Sequence, residues 1–231
     1  SHVPVVFDQP ERFMREAFHE ERDELDLVHD VGKVTNDSRE YLLNIARSAN
    51  EASSQVRQAW ENYSSPVDYG VNSLDLPKVV SLIDAGMPTK LYYVSYRNNA
   101  FDTHVFQNNV HRRLLTYTSD AVFAFLQDLE RIGRADDVAL MIFSEFGRRV
   151  PENDNLGTDH GAANNMFVVG NQVKGGHYGE LPSLTKLNPE DNLAYTTDFR
   201  RVYQTVIEGW LGHRGSGELL GGNYQPFDMF A

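Results

Sequence analysis

The spacing of apolar positions along the chain predicts its elements. Val3 to Phe7 is a short apolar run that reads as an edge strand, since Pro4 is unsuited to a central one. From Pro10 to His29 charges are dense, and Phe13, Phe18, Leu25 and Val28 fit a helix. Asn36-Asp37-Ser38 offers caps. Tyr41, Leu42, Ile45, Ala49, Val56 and Trp60 then predict a long helix over 38–63, stopped by Ser64-Ser65-Pro66. Residues 1–69 read as a helical segment, polar outside and without a catalytic cluster.

From residue 70 the pattern changes. A helix is expected from Ser73 to Ala85, ended by Gly86 with Pro88 beyond. Leu91 to Tyr96 is aromatic and β-branched and predicts a strand. After a loop over 98–104, residues 105–132 form an amphipathic helix with Val110, Leu114, Ala121, Phe125, Leu129 and Ile132 inward, closed by Gly133. Val138 to Phe143 is apolar without alternation, as a buried parallel strand is. A Gly- and Asn-rich loop fills 147–165, Met166 to Val169 predicts a third strand, and Thr197 or Asp198 caps a helix over 199–211. Strand–helix alternation implies an α/β domain over 70–231 with a mainly parallel sheet flanked by helices. In such sheets ligands sit off the C-terminal strand ends. The loops 97–104, 144–150 and 170–180 leave those ends, and 151–165 leads into the third strand.

Composition narrows the function classes. The formal net charge of −12 argues against a nucleic-acid partner, which requires clustered Lys and Arg, and is compatible with cation binding. The absence of cysteine excludes disulfides, thiolate metal sites and a Cys nucleophile. No apolar run is long enough to predict a transmembrane helix. No signal peptide is visible at the N-terminus, and Ser1-His2 reads as a processing edge.

The chemistry-bearing residues cluster in the loops. Asp102-Thr103-His104 follows the first core strand, and in an extended loop residues i and i+2 point the same way, so carboxylate and imidazole can share one cation. Oxygen plus nitrogen donors suit Zn, Mn or Fe. The competing reading makes Asp102 a cap for the helix that begins near His104. Glu145, after the central strand, is a candidate ligand or base, or an ion-pair partner of Arg148 or Arg149. Asp159-His160 lies between Gly157 and Gly161, with Asp159 either ligating or orienting His160, and the alternative is a buried His held by its neighbouring Asp. His177 is a further candidate that fits a surface loop better, His111 belongs to a helix, and His2, His19, His29 and His213 read as solvent-facing. Neither a Gly-x-Ser-x-Gly elbow nor a phosphate-cradling Gly-rich loop occurs.

Phe101-Asp102-Thr103-His104 with Gln107, Ser144 to Arg148, Glu152-Asn153, Gly157 to Gly161, Val169-Gly170, Lys174-Gly175-Gly176, Tyr178-Gly179-Glu180 and Thr197 to Arg200 together resemble a bacterial family known as domain of unknown function 1501. The resemblance runs in unbroken order over about residues 70–215. That family looks like a branch of the alkaline phosphatase and sulfatase superfamily, α/β proteins with two metal ions at the strand ends. The resemblance implies a divalent metal (Zn, Mn or Ca) held by Asp102, His104, His160 and Asp159, with Glu145 and Arg148 as catalytic residues and an ester as small-molecule substrate. It also implies export to the periplasm or beyond. Where the superfamily has an Asp-His pair, this chain has Glu145-Phe146, and Phe146 cannot ligate. The superfamily's nucleophile lies after the first strand, a segment with no counterpart before residue 91. The chain therefore reads as a C-terminal part of the domain, incomplete at its N-terminal side and inactive alone. The alternative is a non-catalytic binding or surface-associated module with the same fold, or a purely structural fragment.

Overall fold

The structure is a computed structural model and describes residues 6–13 and 37–231. The edge strand expected at 3–7 and the helix expected over 10–29 fall largely outside the described residues, as do His2, His19 and His29. The described part of that helix, Pro10–Arg12, is a single 3₁₀ turn.

The chain forms two compact units, one of residues 1–66 and 75–93, the other of 67–74 and 94–231. A single break at 69/70 was the expectation from sequence. The division is discontinuous because helix α2 (Leu76–Asp84) packs with helix α1 (Asp37–Asn62). Leu82 joins Val56 and Ala59 in one core, and Phe7, Phe13, Met87 and Tyr92 pack against it. Arg57 and Ser53 donate to the Phe13 carbonyl and so anchor that segment on α1. Gly86 ends α2 as the sequence predicts: at φ +69° it lets its own N–H reach Ile83 O at 3.0 Å and the Met87 N–H reach Leu82 O at 3.1 Å. Two carbonyls that the helix leaves unpaired are thereby satisfied.

In the second unit helix α3 (Gln107–Arg131) buries Ala121, Ala124, Phe125, Asp128 and Leu129. Gly133 closes it with the same paired bonds, to Glu130 O at 3.0 Å and, through the Arg134 N–H, to Leu129 O at 2.9 Å. Asp128 is a fully buried carboxylate. It accepts from the Tyr69 hydroxyl at 2.8 Å and from Arg131 Nε at 2.6 Å, which offsets the cost of removing its charge from water.

The strands are β1 (Leu140–Ile142), β2 (Gly147–Arg148), β3 (His160–Gly161) and β4 (Phe167–Val169). β1 pairs antiparallel with β4, Leu140 opposite Val169 and Ile142 opposite Phe167. β2 pairs antiparallel with β3, Gly147 opposite Gly161 and Arg148 opposite His160. The sequence reading expects the segments at 138–143 and 166–169 in a largely parallel sheet. Parallel neighbours need a crossover of a dozen or more residues, usually a helix. Residues 143–166 hold no helix, and instead run out and back as one interrupted hairpin. Between the two ladders one arm has four residues (143–146) and the other five (162–166), a one-residue mismatch of the kind that bends a ladder. The strand expected at 91–96 forms no ladder among the described residues.

Helix α4 (Phe199–Thr205) starts at the expected cap, where the Asp198 carboxylate accepts from the Arg200 N–H at 2.9 Å. It continues as a π-helical turn, Val206–Trp210, and α5 (Ser216–Leu220) follows. The C-terminus returns to Val173, with the Lys174 N–H on Met229 O at 2.8 Å and the Ala231 N–H on Gln172 O at 2.9 Å. Among the described residues no helix is long and apolar enough to cross a membrane.

Candidate metal centre

Asp102, Thr103 and His104 follow a 3₁₀ turn at Arg97–Asn99. The backbone there is turned rather than extended, with the Asp102 N–H on Asn99 O at 2.8 Å and the His104 N–H on Asp102 O at 3.2 Å. The two side chains still converge, His104 Nε2 lying 2.9 Å from Asp102 Oδ1. β3 delivers His160, whose Nε2 lies 2.7 Å from the same oxygen. Asp102, His104 and His160 each offer a potential ligand atom within 4.8 Å of the other two.

Asp159 stands behind this trio. Its Oδ1 lies 3.3 Å from His104 Nδ1, the ring nitrogen that faces away from Asp102. A carboxylate on the distal nitrogen of a histidine is the usual support of a metal-ligating imidazole. Asp102 is not the cap of α3. The first amides of that helix are satisfied by the loop that carries Asp159, with the Phe106 N–H on Asn155 O at 3.0 Å and the Gln107 N–H on Leu156 O at 2.9 Å.

The two loops are braced from three sides. Arg148 donates to Thr158 O at 2.5 Å and to Phe101 O at 2.7 Å, and its guanidinium lies 3.5 Å from Asp102 Oδ1. Gln107 donates to Thr103 Oγ1 at 2.9 Å and accepts from Thr158 Oγ1 at 3.0 Å. Asn153 Nδ2 donates to His104 O at 3.1 Å and Asp159 Oδ1 at 3.2 Å. The backbones touch at Gly157, where an added Cβ would lie 2.2 Å from His104 O. Phe146 stacks on the His160 ring with centroids 3.8 Å apart, and the Arg148 guanidinium lies over its face at 4.9 Å.

These contacts set the charges. The hydrogen bond from His160, then the nearby His104 and Arg148, hold the Asp102 carboxyl below the ordinary aspartate range against some desolvation. Asp159 is held down first by the Asn153 hydrogen bond and then by His104. His111, on α3 behind the Phe101 ring, is shifted down by burial and by Arg148, and its Nδ1 is buried without a partner.

Of the residues singled out in the sequence, Asp102, His104, His160 and Asp159 come together. Arg148 joins them as a brace, its terminal nitrogens directed at two carbonyls. Glu145 is exposed and lies outside the trio, and His177 and His213 are exposed. Sequence reasoning assigned no role to Asn153, Gln107 or Thr158. The signal for Asn153 was its distance from Gly157: the side-chain Oδ1 accepts from the N–H groups of Asn155 and Gly157, each at 3.0 Å. Two open clefts lie in the first unit. The larger, about 500 Å³, has Gln55, Ala59, Ser81 and Met87 among its walls.

One carboxylate oxygen and two imidazole nitrogens make a donor set that suits Zn or Mn. Around tetrahedral zinc neighbouring ligand atoms stand roughly 3.3 Å apart, given metal–ligand bonds of about 2.0–2.1 Å. The observed 2.7 and 2.9 Å separations are those of hydrogen bonds. To share a cation, the two Asp102–imidazole pairs would have to move apart by about half an ångström.

No curated protein and no solved structure matches the chain significantly. The model of the family described as "Protein of unknown function (DUF1501)" matches residues 82–206. That span exceeds half of the chain and includes the whole Asp–His cluster with its braces, so the chain belongs to the DUF1501 family.

Proposed function

We propose that Asp102, His104 and His160 hold a divalent cation, and that the domain belongs to a metal-dependent hydrolase of phosphate or sulfate esters related to the alkaline phosphatases and sulfatases. The observation that carries this reading is the convergence of Asp102, His104 and His160, each offering a ligand atom within 4.8 Å of the other two. A bound cation would supply Lewis-acid polarisation of an ester oxygen and neutralise charge on the transferring group. The chain's own residues do the rest. Asp159 orients His104 through Nδ1. Arg148 and Gln107 keep the loops in register. The half-exposed ligands leave the cation side open to an incoming anion. Glu145 is placed close in sequence to the ladder that carries His160 and serves as the acid–base candidate of that mouth. In this reading the nucleophile and a second metal position are supplied from outside the residues identified here, and the sheet is the larger parallel one of that superfamily.

A second reading is favoured by Phe146. It stands at the position where the resemblance places another imidazole and stacks on His160 instead, so the domain can retain one cation as a binding module without turnover. Assays of aryl phosphates and aryl sulfates with the intact protein, with and without chelator, separate the two. Hydrolysis that chelator abolishes and His104→Ala and His160→Ala both lower supports the hydrolase. Cation binding with no hydrolysis of either ester class leaves the binding module. No cation binding removes both.

A further inference from the structure

We propose that Asn153 is a positioning residue of the cluster, whose side-chain NH₂ holds Asp159 against His104 Nδ1 and thereby turns His104 Nε2 toward Asp102 and His160. The inference rests on the cation reading of those three residues and names what fixes one of them.

Four contacts determine which way the Asn153 amide faces. Its Oδ1 accepts from the backbone N–H of Asn155 and of Gly157, both at 3.0 Å. Its Nδ2 donates to His104 O at 3.1 Å and to Asp159 Oδ1 at 3.2 Å. A flipped amide would set oxygen against two acceptors and nitrogen against two donors, losing all four bonds. The backbone is fixed as well, since the Asn153 N–H donates to Gly157 O at 2.8 Å. One side chain thus touches both ends of the Asp159–His104 contact: the carboxylate oxygen that meets Nδ1 and the main chain that carries the ring.

Asp159 itself is an exposed residue, with 55% of its side chain accessible. A free surface carboxylate samples several rotamers. A carboxylate held by a donor on the same oxygen that meets Nδ1 does not. With a cation bound, Nδ1–H would be committed to Asp159 and the lone pair on Nε2 would be the one left to ligate.

The donor role and the turn role of Asn153 can be separated. Asn153→Asp keeps an acceptor for Asn155 and Gly157 but sets oxygen against Asp159 Oδ1 and His104 O. The double variant Asn153→Asp/Asp159→Ala removes the carboxylate through which the Asn153 amide acts on His104. Zinc titration calorimetry on the full chain should show Asn153→Asp raising the zinc dissociation constant roughly 10–100-fold, the usual effect of losing a support of a metal ligand. In the Asp159→Ala background the same Asn153→Asp substitution should add little further loss, whereas a merely turn-forming Asn153 would cost as much there as in the wild type. An Asn153→Asp constant within about twofold of wild type, or an equal loss with and without Asp159, overturns the proposal.

A metal-free measurement keeps this inference distinct from the cation reading. Side-chain ³J couplings of the metal-free protein should show Asp159 in one χ1 rotamer in the wild type and averaged over several in Asn153→Asp. A wild type that binds no zinc yet shows this difference sinks the cation reading and supports the positioning role. An Asp159 already averaged over rotamers in the wild type overturns the positioning role, also where the variants do not fold.

Discussion

The imidazole of His160 lies flat on the ring of Phe146, centroids 3.8 Å apart and planes 8° from parallel. β3 is only two residues long, so strand pairing alone does little to fix a side chain at its exposed end. The stack supplies the missing restraint and leaves Nε2 aimed at Asp102. Phe146→Ala should cost about 1 kcal/mol of unfolding free energy, the order expected for an aromatic pair, and weaken cation binding in parallel. Denaturant unfolding read beside a zinc titration checks both. A variant as stable as wild type with unchanged zinc affinity would show the stack to be incidental.

Arg148 joins the loops at Phe101 and Thr158 through two different nitrogens. A lysine has the charge but not the planar fork that reaches two carbonyls at once. Arg148→Lys should therefore cost about 2 kcal/mol, the scale of losing a charge-assisted hydrogen bond, and chemical denaturation measures it. If Arg148 acted only as a charge toward a ligand, the lysine variant would keep its stability.

Gly157 is where two backbones touch. The Cβ of an alanine would lie 2.2 Å from His104 O and 2.3 Å from its carbon, atoms that no side-chain rotation can move aside. Gly157→Ala should displace His104 and lower both the thermal midpoint and cation affinity. Alanine at the unconstrained Gly175, where a Cβ meets nothing within 4 Å, should leave both unchanged.

Local signals in the sequence carried much of the site. Gly86 and Gly133 end their helices as their positions predict, because helix C-termini are governed by a few adjacent residues. Asp102, His104, Asp159 and His160 were legible as short pairs of ligand-type residues. Two things were not legible. The apolar segments at 138–143 and 166–169 gave strands but not their direction, since an apolar run does not encode the partner's sense; the pairing is fixed by the helix-free excursion between them. The roles of Asn153, Gln107 and Arg148 depend on contacts across 46 to 51 positions of sequence or on a particular amide orientation, and no spacing rule reports those. The segment at 91–96 has strand composition, yet without a partner strand among the described residues composition forms no ladder.

The carboxyls give a pH prediction with a definite sign. Asp102 and Asp159 are held below the ordinary aspartate range in the folded chain. Their stabilising contribution is present above the pH at which an unfolded aspartate ionises, and is lost as pH falls through the lower folded values. The cluster should therefore stay ionised into mild acid. Because the His160 hydrogen bond is the leading cause at Asp102, His160→Ala should raise the Asp102 midpoint toward the ordinary value. Carboxyl ¹³C titration reads this directly, and an unmoved midpoint would contradict the geometry.

The central claim is that Asp102, His104 and His160 form one cation site. Zinc titration calorimetry on wild type, His104→Ala and His160→Ala tests it most directly. The account predicts one equivalent of zinc on the wild type, and in each variant a loss of affinity greater than the roughly 10–100-fold that removing a mere support costs. A wild type that takes up no zinc, or alanine variants that bind it as tightly, would contradict the account.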